Sequence, residues 1–244
     1  MVREHRLERL QSPSTSDVRE LMAAQKPFVA SGLLDTWAAR FWTLQSIHNE
    51  FGELSTCVRL FPRQECSSLS SRIPFEGECA YCEVKLGDYC LWLAGKVLHD
   101  ASPLSRFPLA SFVGYCDYQD MPALFADAPA ALAAVDWTHV FAAAGCSLTS
   151  PTDGSRSTLW LGSNGASTPT HFDTYGANFV AQLIGTKVWR LRRPGSSSSM
   201  RPSRVPYEES SVFCESQGCI GGTASAREML EEKRASEEEA EEDE

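Results

Sequence analysis

The residues best suited to chemistry in this 244-residue chain lie in Thr168-Pro169-Thr170-His171-Phe172-Asp173 and in the run Asn178 to Trp189 that follows. His171 and Asp173 stand at i and i+2. On an extended backbone both side chains project from one face and can share one ion. An imidazole and a carboxylate are two of the three ligands of the 2-His-1-carboxylate set, which holds non-haem Fe(II) and leaves positions open. Further on, Lys187 alternates with Trp189 and Leu191, where an interior face is expected. A buried lysine is costly unless paired, which makes Lys187 a candidate for holding an anion.

The elements that must carry these residues read as mainly β with helices. Phe179–Ile184 and Lys187–Leu191 are predicted as two strands of a tight hairpin closed at Gly185-Thr186. Ser157–Gly162 is a strand ended by glycine, with a turn at Asn164-Gly165. Upstream, strands are expected at Phe28–Ala30, Thr56–Leu60, Cys79–Leu86 and Leu109–Tyr118. Helical spacing runs through residues 1–26, with Ser16-Asp17 as the cap, and then from Leu33 to Phe51, stopping at Gly52. A short helix follows Leu86, and the Ala-rich run Ala123–Ala134 reads as helix and loop. The stretch from Pro62 to Gly77 is polar loop. These readings divide the chain into a helical segment (1–26), a β-rich domain (27–213) and a Gly-rich link with an acidic tail (214–244).

The formal net charge of −10 is unevenly placed. Ten acidic residues against three basic ones fall between Arg227 and Glu244, which leaves about −3 for everything before. A nearly balanced folded part has no general electrostatic footprint for nucleic acid. No apolar run reaches the ~18 residues of a membrane helix, and no signal-peptide pattern opens the chain, so an intracellular protein, cytoplasmic or nuclear, is expected. Nine scattered cysteines fit free thiols in a reducing compartment. Cys79-Ala80-Tyr81-Cys82 is a lone C-x-x-C and reads as structural thiols, because a zinc site needs a second pair.

Thr168-x-x-His171-x-Asp173, together with Asn178 and the lysine of Gly185-Thr186-Lys187-Val188-Trp189, resembles the JmjC, cupin-like class of Fe(II)- and 2-oxoglutarate-dependent oxygenases. The resemblance takes in Lys26-Pro27-Phe28-Val29, Trp37, Trp42 and Ser157 to Gly162, and runs on through Arg204 to Phe213. It implies a double-stranded β-helix, or jelly roll, of about eight strands. It also implies that His171 and Asp173 are iron ligands, that Lys187 and Thr168 hold the distal carboxylate of 2-oxoglutarate, and that Asn178 contacts the co-substrate or supports a ligand. In some relatives a tyrosine on an earlier strand also helps, and the resemblance makes Tyr115 the best-placed candidate for it.

One position departs from the pattern. The family's third ligand is a histidine well after the lysine, and here no histidine follows His171; the others are His5, His48, His99 and His139. The chain therefore reads as the first part of a JmjC domain, with the late strands absent after Phe213. Two functional readings follow. The first is a hydroxylase acting on a protein or nucleic-acid substrate. The second is a non-catalytic interaction protein that keeps the fold, for which the resemblance implies a small heat-shock protein as partner. A plain surface pair at His171 and Asp173 is the remaining alternative.

Overall fold

A computed structural model describes residues 7–63, 73–146, 151–173, 177–191, 200–204 and 211–216, the last two segments as backbone. Strand β1 (Glu8–Gln11) pairs in parallel with β2 (Phe28–Ser31), and helix α1 (Thr15–Ala23) connects them. The helix begins at Ser14, not at Ser16. Asp17, at the third helical position, returns a carboxylate to the Ser14 backbone N–H while the Ser14 hydroxyl accepts from the Asp17 N–H, and this reciprocal box fixes the start. The predicted helix over 1–26 is thus a strand followed by a helix, and residues 1–6 lie outside the described residues.

The Leu33–Phe51 stretch also breaks in two, into a 3-10 turn at Ala38–Phe41 and helix α2 (Leu44–Phe51), because Thr43 caps α2 with Ser46 in a second box. Trp37, Ile47 and Phe51 bury against Phe125, Ala131 and Val135 of the Ala-rich region. That region is helix and loop, as expected, with α4 (Met121–Leu124) and α5 (Ala130–Ala133) separated by a short connection, and α6 (Thr138–Ala144) follows it. The edge-to-face ring pair Phe51–Phe125, with centroids 5.1 Å apart, locks the two layers together.

The site rests on a four-stranded antiparallel sheet in the order β4-β3-β5-β6: β4 (Ala80–Lys85), β3 (Ser55–Pro62), β5 (Phe112–Asp120) and β6 (Thr158–Gly162). Strand alternation sorts its two faces. Val58, Leu60, Phe112 and Cys116 point to helix α3 (Leu86–Leu93), packing against Tyr89 and Trp92. Gly114 lies under the Trp92 indole, so close that an added Cβ would fall 2.8 Å from the ring. The opposite face carries Arg59, Phe61, Val113 and Tyr115, set by the register Arg59↔Tyr115 and Phe61↔Val113. A β-bulge between Cys116 and Gln119 turns the end of β5, with Tyr118 at φ +50°.

A second, three-stranded antiparallel sheet has the order β7-β9-β8, with β7 (His171–Asp173), β8 (Met200–Arg204) and β9 (Ser211–Ser216). Strand β9 is the central one, with β7 and β8 on its two sides. Helices packed on one antiparallel sheet, with a second sheet bearing the His-x-Asp strand, make a jelly-roll-like α+β fold.

The predicted hairpin over Phe179–Ile184 and Lys187–Leu191 does not form a ladder. The chain is extended there and bends at Ile184-Gly185, with Gly185 at φ +76°. Ala181 and Leu183 dock by their side chains onto the Trp37–Phe125 core, which satisfies the period-2 pattern without strand pairing. Without a strand partner the second run lies at the surface: Lys187, Trp189 and Leu191, expected on an interior face, are all exposed, and Val188 is 80% exposed. The expected loop at Gly195–Ser199 and the link and tail from Gln217 lie outside the described residues.

Candidate metal and co-substrate site

His171 and Asp173 occupy both ends of β7, each about a quarter exposed, with Nε2 3.7 Å from Oδ1. Pairing of His171 with Phe213 and of Asp173 with Ser211 on β9 holds the strand flat and keeps both side chains on one side. The His171 Nδ1 lies 2.8 Å from the Pro169 carbonyl. A carbonyl only accepts, so Nδ1 carries the proton and Nε2 presents its lone pair toward the carboxylate side. The Asn178 amide donates to Asp173 Oδ2, a second hold on the carboxylate.

The second half of the site centres on Tyr115, which is 5% exposed. Its hydroxyl hydrogen-bonds the Thr168 side chain and accepts from Lys187 Nζ at 3.3 Å. The Lys187 ammonium also lies 4.6 Å from the Trp189 ring centroid and 5.6 Å from that of Trp160, so two indoles flank it. Desolvation there lowers its pKa. Burial pushes the Tyr115 phenol up to about 12, so at neutral pH the hydroxyl keeps its proton and can donate.

Sequence reasoning therefore named Thr168, Tyr115 and Lys187 separately, and the fold brings them together. Asn178 is placed against Asp173 rather than against the Lys187 cluster. No third His, Cys, Asp or Glu joins His171 and Asp173 among the described residues. His48 faces the Gly87 carbonyl at 3.2 Å, and His99 takes the Ala101 N–H in a turn. Cys79 and Cys82 pack in different clusters on opposite faces of the sheet, so the C-x-x-C pair does not converge on one ion.

Sequence reasoning missed Arg59, Asp117 and Trp160. Arg59, fully buried on β3, ion-pairs with Asp117 at 2.6 Å, and its guanidinium lies 5.5 Å from the Tyr115 ring centroid. A signal was available. An arginine inside the apolar run Val58-Arg59-Leu60-Phe61 cannot be buried without a carboxylate, and Tyr115-x-Asp117 puts one beside the tyrosine.

A jelly-roll-like fold with His-x-Asp on one strand and a Tyr–Thr–Lys cluster around the buried Tyr115 defines a cupin-like domain of the JmjC type. The chain belongs to this family: the model of the cupin-like domain matches residues 13–237. Among relatives, it is 35% identical over 197 residues to the HSPB1-associated protein 1 homolog of Danio rerio, covering 80% of this chain and 41% of that protein. It is 32% identical over 194 residues to HSPB1-associated protein 1 of Rattus norvegicus, covering 79% and 38%. The protein of that name from Homo sapiens is 32% identical over 193 residues, covering 79% and 37%. The chain thus spans about two fifths of the length of these relatives.

Proposed function

We propose that this chain carries the co-substrate pocket and two metal-ligand positions of an Fe(II)- and 2-oxoglutarate-dependent oxygenase that hydroxylates a protein or nucleic-acid substrate. The convergence of Thr168, Tyr115 and Lys187 carries this reading, because two hydroxyls and one ammonium in a half-buried pocket suit a carboxylate. The donor set fits ferrous iron as well. The Pro169 carbonyl leaves His171 Nε2 available as a ligand, Asp173 offers an oxygen on the same side, and their mixed N,O character is that of non-haem iron sites. Bound with 2-oxoglutarate, the metal supplies the oxidising chemistry for C–H hydroxylation. Oxidation requires a third donor, which the described residues do not include.

The chain's own groups bind and orient. Lys187 neutralises the far carboxylate of 2-oxoglutarate, and the Thr168 and Tyr115 hydroxyls fix its direction. Trp160 and Trp189 flank the ammonium with their indole rings, which adds cation–π attraction at that end of the pocket. The Asn178 amide keeps the Asp173 carboxylate turned. The test is titration of the purified protein with Mn(II) in the presence of 2-oxoglutarate. Saturable binding weakened by His171→Ala is the expected result, and no binding by the wild-type chain, or undiminished binding by the variant, refutes the reading.

A second reading rests on the printed names of the relatives, which associate those proteins with HSPB1. On it the chain is a binding partner of a small heat-shock protein. Co-sedimentation with a small heat-shock protein, unchanged in His171→Ala, supports it, and no association at micromolar concentration refutes it. No helix among the described residues is long and apolar enough to cross a membrane.

A further inference from the structure

One face of the central sheet is a conventional core, with Val58, Leu60, Phe112 and Cys116 against Tyr89 and Trp92. The other face places an ion pair where apolar packing would serve stability as well or better. Arg59 is fully buried and Asp117 nearly so, with side-chain exposures of 0% and 9% and a separation of 2.6 Å. Removing two charges from water costs several kcal/mol per ion before their attraction returns any of it, so a buried pair is weak evidence of a stabilising role. Its position suggests a different one. Arg59 stands directly across from Tyr115 in the β3–β5 register, and Asp117 follows Tyr115 by two residues on β5. The guanidinium spans the two, paired with Asp117 and lying over the Tyr115 ring at 5.5 Å and the Phe61 ring at 5.9 Å. The end of the same tyrosine makes the contacts with Thr168 and Lys187.

We propose that Arg59 and Asp117 form a positioning pair for the co-substrate pocket, fixing the Tyr115 ring so that its hydroxyl meets Thr168, Lys187 and the ligand carboxylate. This inference rests on the reading of the Tyr115–Thr168–Lys187 cluster as a 2-oxoglutarate pocket and adds the two residues that set it. A planar guanidinium suits the task because it stacks on an aromatic face while its edge engages a carboxylate. The guanidinium lies over the Tyr115 ring and holds Asp117 beside it, and both charges are felt at the phenol, so the pair acts through Tyr115.

The pair can be replaced without leaving a lone charge. Arg59→Met combined with Asp117→Leu fills similar space, and such exchanges of buried ion pairs are often neutral or stabilising. The measurement is titration of Mn(II)-loaded full-length chain with 2-oxoglutarate, with Mn(II) affinity followed separately. The pair variant is expected to keep its metal affinity and melting temperature and to bind 2-oxoglutarate about tenfold more weakly. Tyr115→Phe is expected to show a similar loss, and the triple variant no further loss beyond Tyr115→Phe, since positioning acts through the hydroxyl. A structural role would not respect that coupling. Wild-type affinity in the pair variant, or a second full tenfold loss in the Tyr115→Phe background, overturns the inference. Should the pair variant not fold, Arg59→Lys keeps the charge and loses the planar stack; a severalfold weaker affinity is expected, and wild-type affinity overturns the inference. Lys187→Met separates the two claims. If it binds like wild type, the pocket reading fails; if it loses binding while the pair variants do not, only the positioning role fails.

Discussion

Removing Arg59 alone is the harshest single perturbation of the sheet, and the structure allows its size to be worked out. Arg59→Met deletes one partner of an ion pair whose side chains are 0% and 9% exposed, leaving Asp117 near Tyr115 and Cys79 without its cation. Breaking such a pair from one side costs about 3–5 kcal/mol. For a domain of this size, that lowers the melting temperature by on the order of 10 °C. The pH dependence has a definite sign. Burial already raises the Asp117 pKa despite the opposing pull of Arg59, so the folded state favours the protonated form more than the unfolded state does. Its contribution to stability is therefore greatest at low pH and is lost as pH rises from the unfolded value through the raised folded one. Without Arg59 the opposing pull disappears and the raised value moves further up. Arg59→Met should accordingly lose more stability, relative to wild type, at pH 8 than at pH 5. Urea unfolding at the two pH values measures this directly. A loss below 1 kcal/mol at pH 8, or equal losses at both, refutes the assignment of Arg59–Asp117 as a buried, charged pair.

Other changes test separate parts of the account. Gly114→Ala pushes a methyl into the Trp92 ring at 2.8 Å and should cost about 1–3 kcal/mol by thermal unfolding. Ser14→Ala removes the hydroxyl that the α1 capping box needs and should cost about 1 kcal/mol. Because desolvation lowers the Lys187 pKa, affinity for a dicarboxylate should fall as pH rises through that lowered value, earlier than an ordinary lysine would require. Lys187→Arg should shift that fall to higher pH in a titration series, since a guanidinium stays charged.

Much of the frame was legible because local patterns and tertiary packing agree. Ser157 to Gly162 and Thr56 to Leu60 alternate as strands and are strands. Two patterns misled, each for a physical reason. Residues 179–191 alternate like a hairpin, but the alternation is met by Ala181 and Leu183 docking on a helical core, and periodicity reads side-chain burial without saying which backbone pairs. Ser16-Asp17 looked like a cap, yet a capping box needs a side-chain acceptor three residues on, and Asp17 stands there for Ser14 whereas Ser16 would meet Arg19. In the site, His171, Asp173, Thr168 and Lys187 were legible from their spacing and the family resemblance. Arg59 and Asp117 were not, because they lie 58 residues apart in the chain and meet only through the β3–β5 register.

The central claim is that Tyr115, Thr168 and Lys187 form a pocket for 2-oxoglutarate. The Trp160 and Trp189 rings lie 5.6 Å and 4.6 Å from the Lys187 ammonium and report on it. Titration of Mn(II)-loaded protein with 2-oxoglutarate should give a saturable change in tryptophan emission, with affinity falling about tenfold to a hundredfold in Lys187→Met, the loss expected when a charge-assisted contact is removed. A wild-type chain that gives no saturable change, or a Lys187→Met variant that titrates with undiminished affinity, contradicts it.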